Sequence, residues 1–159
     1  MSDALSFDGV SFSYNGERVV DSVSFSIEEG EIVCLLGPSG CGKTTCLRLA
    51  AGMEKPEEGT IRLGGEVVST SAHVKPPETR HIGFLFQEFA LFPHLSILDN
   101  VCFGLNEFPS QEQKAHALEL LKEVGLSGFA DKFPNSLSGG EQQRTALARA
   151  LAPSPRLVL

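Results

Sequence analysis

Gly37-Pro38-Ser39-Gly40-Cys41-Gly42-Lys43-Thr44 follows the spacing G-x-x-x-x-G-K-[ST], and each part of that spacing has a mechanical use. Glycines let a backbone wrap closely enough for successive N–H groups to point at phosphate oxygens. A helix opening at the end of the loop aims its positive end at the same place. Lys43 would add a cation for the β- and γ-phosphates, and the Thr44 hydroxyl would ligate Mg2+, with Thr45 ending the cradle. A plain glycine turn joining strand to helix is the alternative. The apolar run before the loop and the helical pattern after it are the setting the phosphate motif requires.

A second glycine-rich helix start stands at Ser136-Leu137-Ser138-Gly139-Gly140-Glu141-Gln142-Gln143-Arg144. Ser138-x-x-Glu141 reads as a capping box, which any helix can use. Gly139 and Gly140 leave the first turn bare, so its N–H groups and the Ser138 hydroxyl can face an anion. One chain therefore carries two anion-receptive helix starts.

The elements that must position these residues follow from the pattern. Leu5 and Phe7 alternate in one phase and Val10, Phe12 and Tyr14 in the other, with Gly9 as a bulge at the change. Asn15-Gly16 is a hairpin turn signal, and Val23, Phe25 and Ile27 continue the returning strand. Ile32-Val33-Cys34-Leu35-Leu36 is an unbroken apolar run that predicts a strand buried on both faces, with Cys34 in the core. Thr44–Ala51 predicts a helix, 59–65 a strand and turn, 73–80 a loop, and Ile82–Phe86 a second buried strand closing at Gln87. Beyond it, Ser96 predicts a helix cap, Ser110–Gln113 a capping box after Pro109, and Ala117, Leu120, Leu121 and Val124 one apolar helix face. A helix from about Gly140 to Leu151 is ended by Pro153 and Pro155, and Leu157-Val158-Leu159 starts another apolar strand.

The 159 residues suffice for one domain with a core, and their formal charge of -7 offers no basic stripe for nucleic acid. The same acidity disfavours direct adsorption to an anionic membrane, so membrane association would run through a protein partner. No apolar run reaches the ~20 residues that span a bilayer, and the first residues lack the pattern of a secretory signal. Cys34, Cys41, Cys46 and Cys102 show neither C-x-x-C nor zinc spacing and read as reduced thiols. The four histidines are scattered without ligand spacing.

Taken together, Tyr14, the loop at 37–44, Gln87 at a strand end, and Leu137–Gln142 stand in the order found in one family. Across essentially its whole length the chain resembles the ATP-binding subunits of ABC transporters, with the residues before the second glycine motif matching that family's helical insert. The resemblance implies an α/β P-loop NTPase (RecA-like) core with an N-terminal antiparallel β-hairpin and an α-helical insert, incomplete at the C-terminus. It implies one partial domain: 1–87 as antiparallel sheet plus P-loop core, 88–135 as helical insert, and 136–159 as signature helix and the start of a further strand. ATP and Mg2+ are the implied cofactors. Tyr14 would stack on adenine; Gly37, Pro38, Ser39, Gly40, Cys41, Gly42, Lys43, Thr44 and Thr45 would hold the phosphates. Thr44 and Gln87 would meet Mg2+, and Lys43 and Gln87 would serve catalysis.

By the same resemblance, Leu137, Ser138, Gly139, Gly140, Glu141 and Gln142 would complete the ATP site of a second subunit packed head to tail. Permease subunits would dock near Gln87 and Phe89–Val101, where Phe89, Leu91 and Phe92 read either as an exposed contact surface or as packing of the insert, and an external solute-binding protein would act through them. The subunit would sit peripherally on the cytoplasmic face of the membrane and energise solute import, with ferric iron ahead of polyamines or sugars. The family's Asp-Glu pair would follow Leu159, so the chain is expected to be truncated, poorly stable and hydrolytically inactive alone. The alternatives are a non-transport ABC-type ATPase or another P-loop NTPase.

Overall fold

Strand β1 (Asp3–Tyr14) turns at Asn15-Gly16 into β2 (Glu17–Glu28), and both turn residues have the left-handed φ, 51° and 83°, that a tight hairpin needs. The ladder pairs Leu5 with Ile27, Phe7 with Phe25 and Tyr14 with Glu17. Its register shifts between Phe7 and Val10, so the residue phase changes at Gly9 as the alternation requires. Phe7 and Phe25 stack with centroids 4.7 Å apart. Strand β3 (Glu58–Leu63) covers the other edge of β1, and β4 (Glu66–Thr70) follows through Gly64-Gly65, giving the antiparallel order β2-β1-β3-β4. Strand β1 has a neighbour on each side, and its Leu5, Phe7, Val10 and Phe12 are buried. Strand β4 is an addition to the expected elements; Val67-Val68 after a Gly-Gly pair is its mark in the sequence.

The structure is a computed structural model that describes residues 3–105 and 109–159. Met1 and Ser2 of the N-terminal stretch, and 106–108 of the expected helical insert, lie outside the described residues. The chain divides into two compact units, Met1–Arg80 and His81–Leu159. The first contains β1–β4 and helix α1 (Lys43–Ala51). The expected strand at Ile32–Leu36 is not formed there. A doubly buried strand needs hydrogen-bonded neighbours, and no strand pairs with this run among the described residues. Ile32 is 94% exposed and Leu36 89%, and Cys34 is exposed rather than a core residue.

The second unit packs α2 (Ile97–Cys102), α3 (Ser110–Glu123) and α4 (Gly139–Leu151) around Ile97, Val101, Ala117, Leu121, Leu126 and Ala148. Leu120 joins that core and Val124 packs against it, as the predicted helix face requires. Ser96 caps α2 by accepting from the Asp99 N–H at 3.0 Å. Pro109 stands at the cap position of α3 and Ser110 is its first helical residue, one position further in than the expected capping box at Ser110–Gln113 has it; the Ser110 side chain of that box lies outside what the structure describes. Strands β5 (Ile82–Gly83) and β6 (Leu157–Val158) pair in parallel. The predicted strand to Gln87 is thus cut short. Its one neighbour among the described residues is two residues long; a last bond runs from the Leu85 N–H to the Leu159 carbonyl, 2.7 Å, and the chain then turns.

Candidate functional site

In the first unit the site residues sit on the loop between β2 and α1. Gly42 caps α1 in the left-handed region, φ 92°, and a Cβ there would stand 2.6 Å from the Val19 carbonyl of β2. Only glycine admits both that conformation and that approach. The loop is thereby pinned to the hairpin, whose turn carries Tyr14. Gly37–Cys41 and Thr44 are exposed, while Thr45 is buried and anchors the helix start. The Lys43 ammonium donates to the carbonyls of Gly37 at 2.9 Å and Pro38 at 2.7 Å, with Cys41 Sγ at 3.5 Å. The lysine thus spans the mouth of its own loop, and the geometry fits a phosphate group: a glycine-shaped cradle, a cation across it and an exposed hydroxyl at Thr44. Burial, and then the neighbouring Cys41, push the Cys46 thiol up, which keeps it protonated.

Tyr14 is 36% exposed; its hydroxyl donates to Glu54 at 2.8 Å and its ring meets Phe12 edge-on at 4.8 Å. Glu54 lies just past α1, so the two ends of that helix are tied to the two strands of one hairpin. Beside it, buried Arg80 donates to the carbonyls of Lys75, Leu49, Ala50 and Val68 and to Ser69 Oγ, at 2.7–3.3 Å. Two of those acceptors are the last-turn carbonyls of α1. The sequence pattern places Arg80 in a loop, and nothing in its neighbours marks it as a helix cap.

In the second unit the capping box of α4 forms. The Ser138 N–H donates to Glu141 Oε2 at 2.7 Å, its hydroxyl donates to the same oxygen at 2.6 Å, and the Glu141 N–H faces the Ser138 hydroxyl at 3.4 Å. The bonds from Ser138 hold the Glu141 carboxyl below its ordinary value. Leu137 is buried in the helical core, and the Gln142 amide donates to the carbonyls of Pro134 and Leu137 at 3.0 and 3.1 Å. Ser138, Gly139 and Gly140 are left facing outward. Gln87 is exposed in the turn after β5, and Phe89, Leu91 and Phe92 are half-buried rather than exposed. Phe92 is occupied by Phe103, at 4.4 Å between centroids, and by the Arg149 guanidinium at 5.4 Å. Arg149 and Asn100 are two residues of this unit that sequence pattern does not single out. A charged side chain in the alanine- and leucine-rich last turns of α4 is the signal for the first.

Residues 20–159 match the family described as ABC transporter. The chain is 48% identical over its whole length to a sulfate/thiosulfate import ATP-binding protein of Chromobacterium violaceum, spanning 43% of that protein. It is 45% identical to a spermidine/putrescine import ATP-binding protein of Marinobacter nauticus, with 98% of the chain covering 41% of the relative. It is also 45% identical to an Fe(3+) ions import ATP-binding protein of Haemophilus influenzae, with 92% of the chain covering 42%. The chain therefore spans less than half the length of these relatives. Its fold matches a dimeric ATP-binding cassette in a post-hydrolysis state bound to ADP and Pi, with TM-score 0.85 and 35% identity, over 97% of this chain and 72% of that one. The fold is that of the P-loop cassette ATPases, and the chain belongs to the ABC transporter family.

Proposed function

We propose that this chain is part of an ATP-hydrolysing subunit that works as a head-to-tail pair and drives solute import through separate permease subunits. The observation that carries the proposal is the start of α4. Leu137, Glu141 and Gln142 are each engaged within their own unit, Glu141 by accepting from the Ser138 N–H and hydroxyl, which leaves the exposed backbone of Gly139 and Gly140, beside Ser138, as the helix N-terminus that an anion of a second molecule would meet. A Cβ added at Gly139 meets nothing within 4 Å, so the chain itself leaves room for a side chain there.

The 37–45 loop would hold the phosphates by its N–H groups, and Lys43 would exchange its two carbonyl partners for phosphate oxygens. Thr44 and Gln87 would be the protein ligands of Mg2+, Gln87 also orienting the attacking water, and Tyr14, its hydroxyl fixed by Glu54, would offer its ring to adenine. ATP supplies the phosphoryl group whose transfer to water drives the cycle, and each of these side chains positions rather than reacts. Residues 1–87, 88–135 and 136–159 would form the successive parts of one ATPase domain. Permease subunits would dock near Gln87 and 89–101, and would select the solute together with an external binding protein. The solute class proposed is a small ion of the kind named for the relatives, with ferric iron one among sulfate-type oxyanions and polyamines. The site would lie on the cytoplasmic face of the membrane. No helix among the described residues is long and apolar enough to cross it.

The test separates the two glycine motifs. Lys43→Ala removes charge-assisted bonds worth about 1.5–3 kcal/mol each, so nucleotide titration should show an affinity loss of about tenfold or more. Gly139→Asp should leave that titration unchanged and abolish ATP-driven pairing in sedimentation velocity. Equal loss of binding in both variants would refute the division of the site between two molecules.

A further inference from the structure

The turn that carries Gln87 is held from α4. Phe89 and Ala90 follow it with φ 59° and 47°, two consecutive non-glycine residues in the left-handed region. Side chains disfavour that region, so a pair of them persists only where surroundings impose it. The Arg149 guanidinium supplies the constraint: Nη2 donates to the Phe89 carbonyl at 2.8 Å and Nη1 to the Ala90 carbonyl at 2.7 Å. A planar fork suits two adjacent acceptors, which a lysine ammonium does not reproduce. The same guanidinium stands over the Phe92 ring, and burial lowers its pKa. Phe92 is fixed from the other side by Asn100, fully buried, which accepts from the Phe92 N–H at 2.8 Å and donates to the carbonyls of Phe92, Leu95 and Ser96. The backbone leaving Gln87 is therefore clamped at both ends, and one clamp belongs to the helix whose N-terminus is Ser138-Gly139-Gly140.

We infer that Arg149 is a positioning residue: it locks the Gln87 turn to α4, so that displacement of the signature helix and placement of Gln87 are one event. The inference rests on the proposed role of Gln87 at the nucleotide. Arg149→Met removes the fork at similar length, and Arg149→Lys keeps the charge without the fork. Hydrogen exchange on this chain should accelerate at Phe89, Ala90 and Phe92 in both variants, with the α3 amides unchanged. In the assembled transporter both should lower kcat about tenfold with KM within about twofold. Combining either with Gln87→Ala should add less than about twofold to the loss from Gln87→Ala alone. Ala90→Gly placed on Arg149→Met should recover at least about threefold of kcat, because glycine takes the left-handed conformation unaided.

If Arg149→Met fails to fold, Arg149→Lys is read in its place. Unchanged exchange at Phe89 and Ala90, or unchanged kcat while Gln87→Ala is impaired, overturns the inference and leaves the Gln87 assignment standing. Full activity in Gln87→Ala overturns the assignment itself, and the positioning role falls with it.

Discussion

Two carboxylates and a lysine show how much a single side chain decides in this fold. Lys43 spans its loop through the Gly37 and Pro38 carbonyls, so its charge is held at the loop mouth before any phosphate arrives. Glu54 fixes the Tyr14 hydroxyl, and so chooses which way the ring faces. Glu141 has a pH signature. Its folded-state pKa is held below the ordinary value by its bonds from Ser138, so its contribution to α4 is complete above the unfolded carboxylate pKa. That contribution is lost as pH falls through the folded one. Exchange of the first-turn amides of α4 should therefore rise on acidification through the carboxylate range. Glu141→Gln should remove most of that dependence; an unaltered pH profile in the variant would show that another group controls the helix start.

At the scale of elements, the last turn of α1 depends on a residue 30 positions beyond Ala50 in the chain. Arg80 satisfies the carbonyls of Leu49 and Ala50, and joins them to β4 through Val68 and Ser69. Each buried acceptor left unpaired costs about 1–3 kcal/mol, so Arg80→Met should lower unfolding stability by at least about 2 kcal/mol in a urea titration. Gly52 is the steric complement: a Cβ there would lie 2.5 Å from the guanidinium, on a backbone with φ 81°. Gly52→Ala should destabilise as well, and the double variant should lose less than the sum, because both changes spoil one contact. Strict additivity would show that Gly52 and Arg80 act separately.

For the whole molecule, the 32–36 run is the feature with the largest consequence. Ile32 and Leu36 are almost fully exposed, and Val33 and Leu35 are 42% and 38% exposed, so four large apolar residues face solvent next to the phosphate loop. Such a patch promotes association. The chain should show concentration-dependent oligomers by light scattering, and Ile32→Lys with Leu36→Lys should shift it toward monomer while leaving nucleotide affinity within about twofold. Oligomers that persist in the double variant would place the sticky surface elsewhere.

The sequence by itself determined what local chemistry determines. The glycine spacing of 37–44 and the Ser138–Glu141 pair specify loop and cap from neighbouring residues alone, and the Asn15-Gly16 turn and Gly9 bulge follow from backbone sterics. The apolar face of α3 and the extent of α4 were legible for the same reason, since a helix makes its hydrogen bonds internally. Tertiary structure decided everything that needs a distant partner. Strand formation at 32–36 and the length of β5 depend on neighbours that local pattern cannot supply, so one expected strand is absent and another is shorter than its apolar run. Arg80 and Arg149 were hidden because their acceptors include backbone carbonyls 30 and 60 residues away in sequence, and a carbonyl leaves no mark on the residue type that carries it.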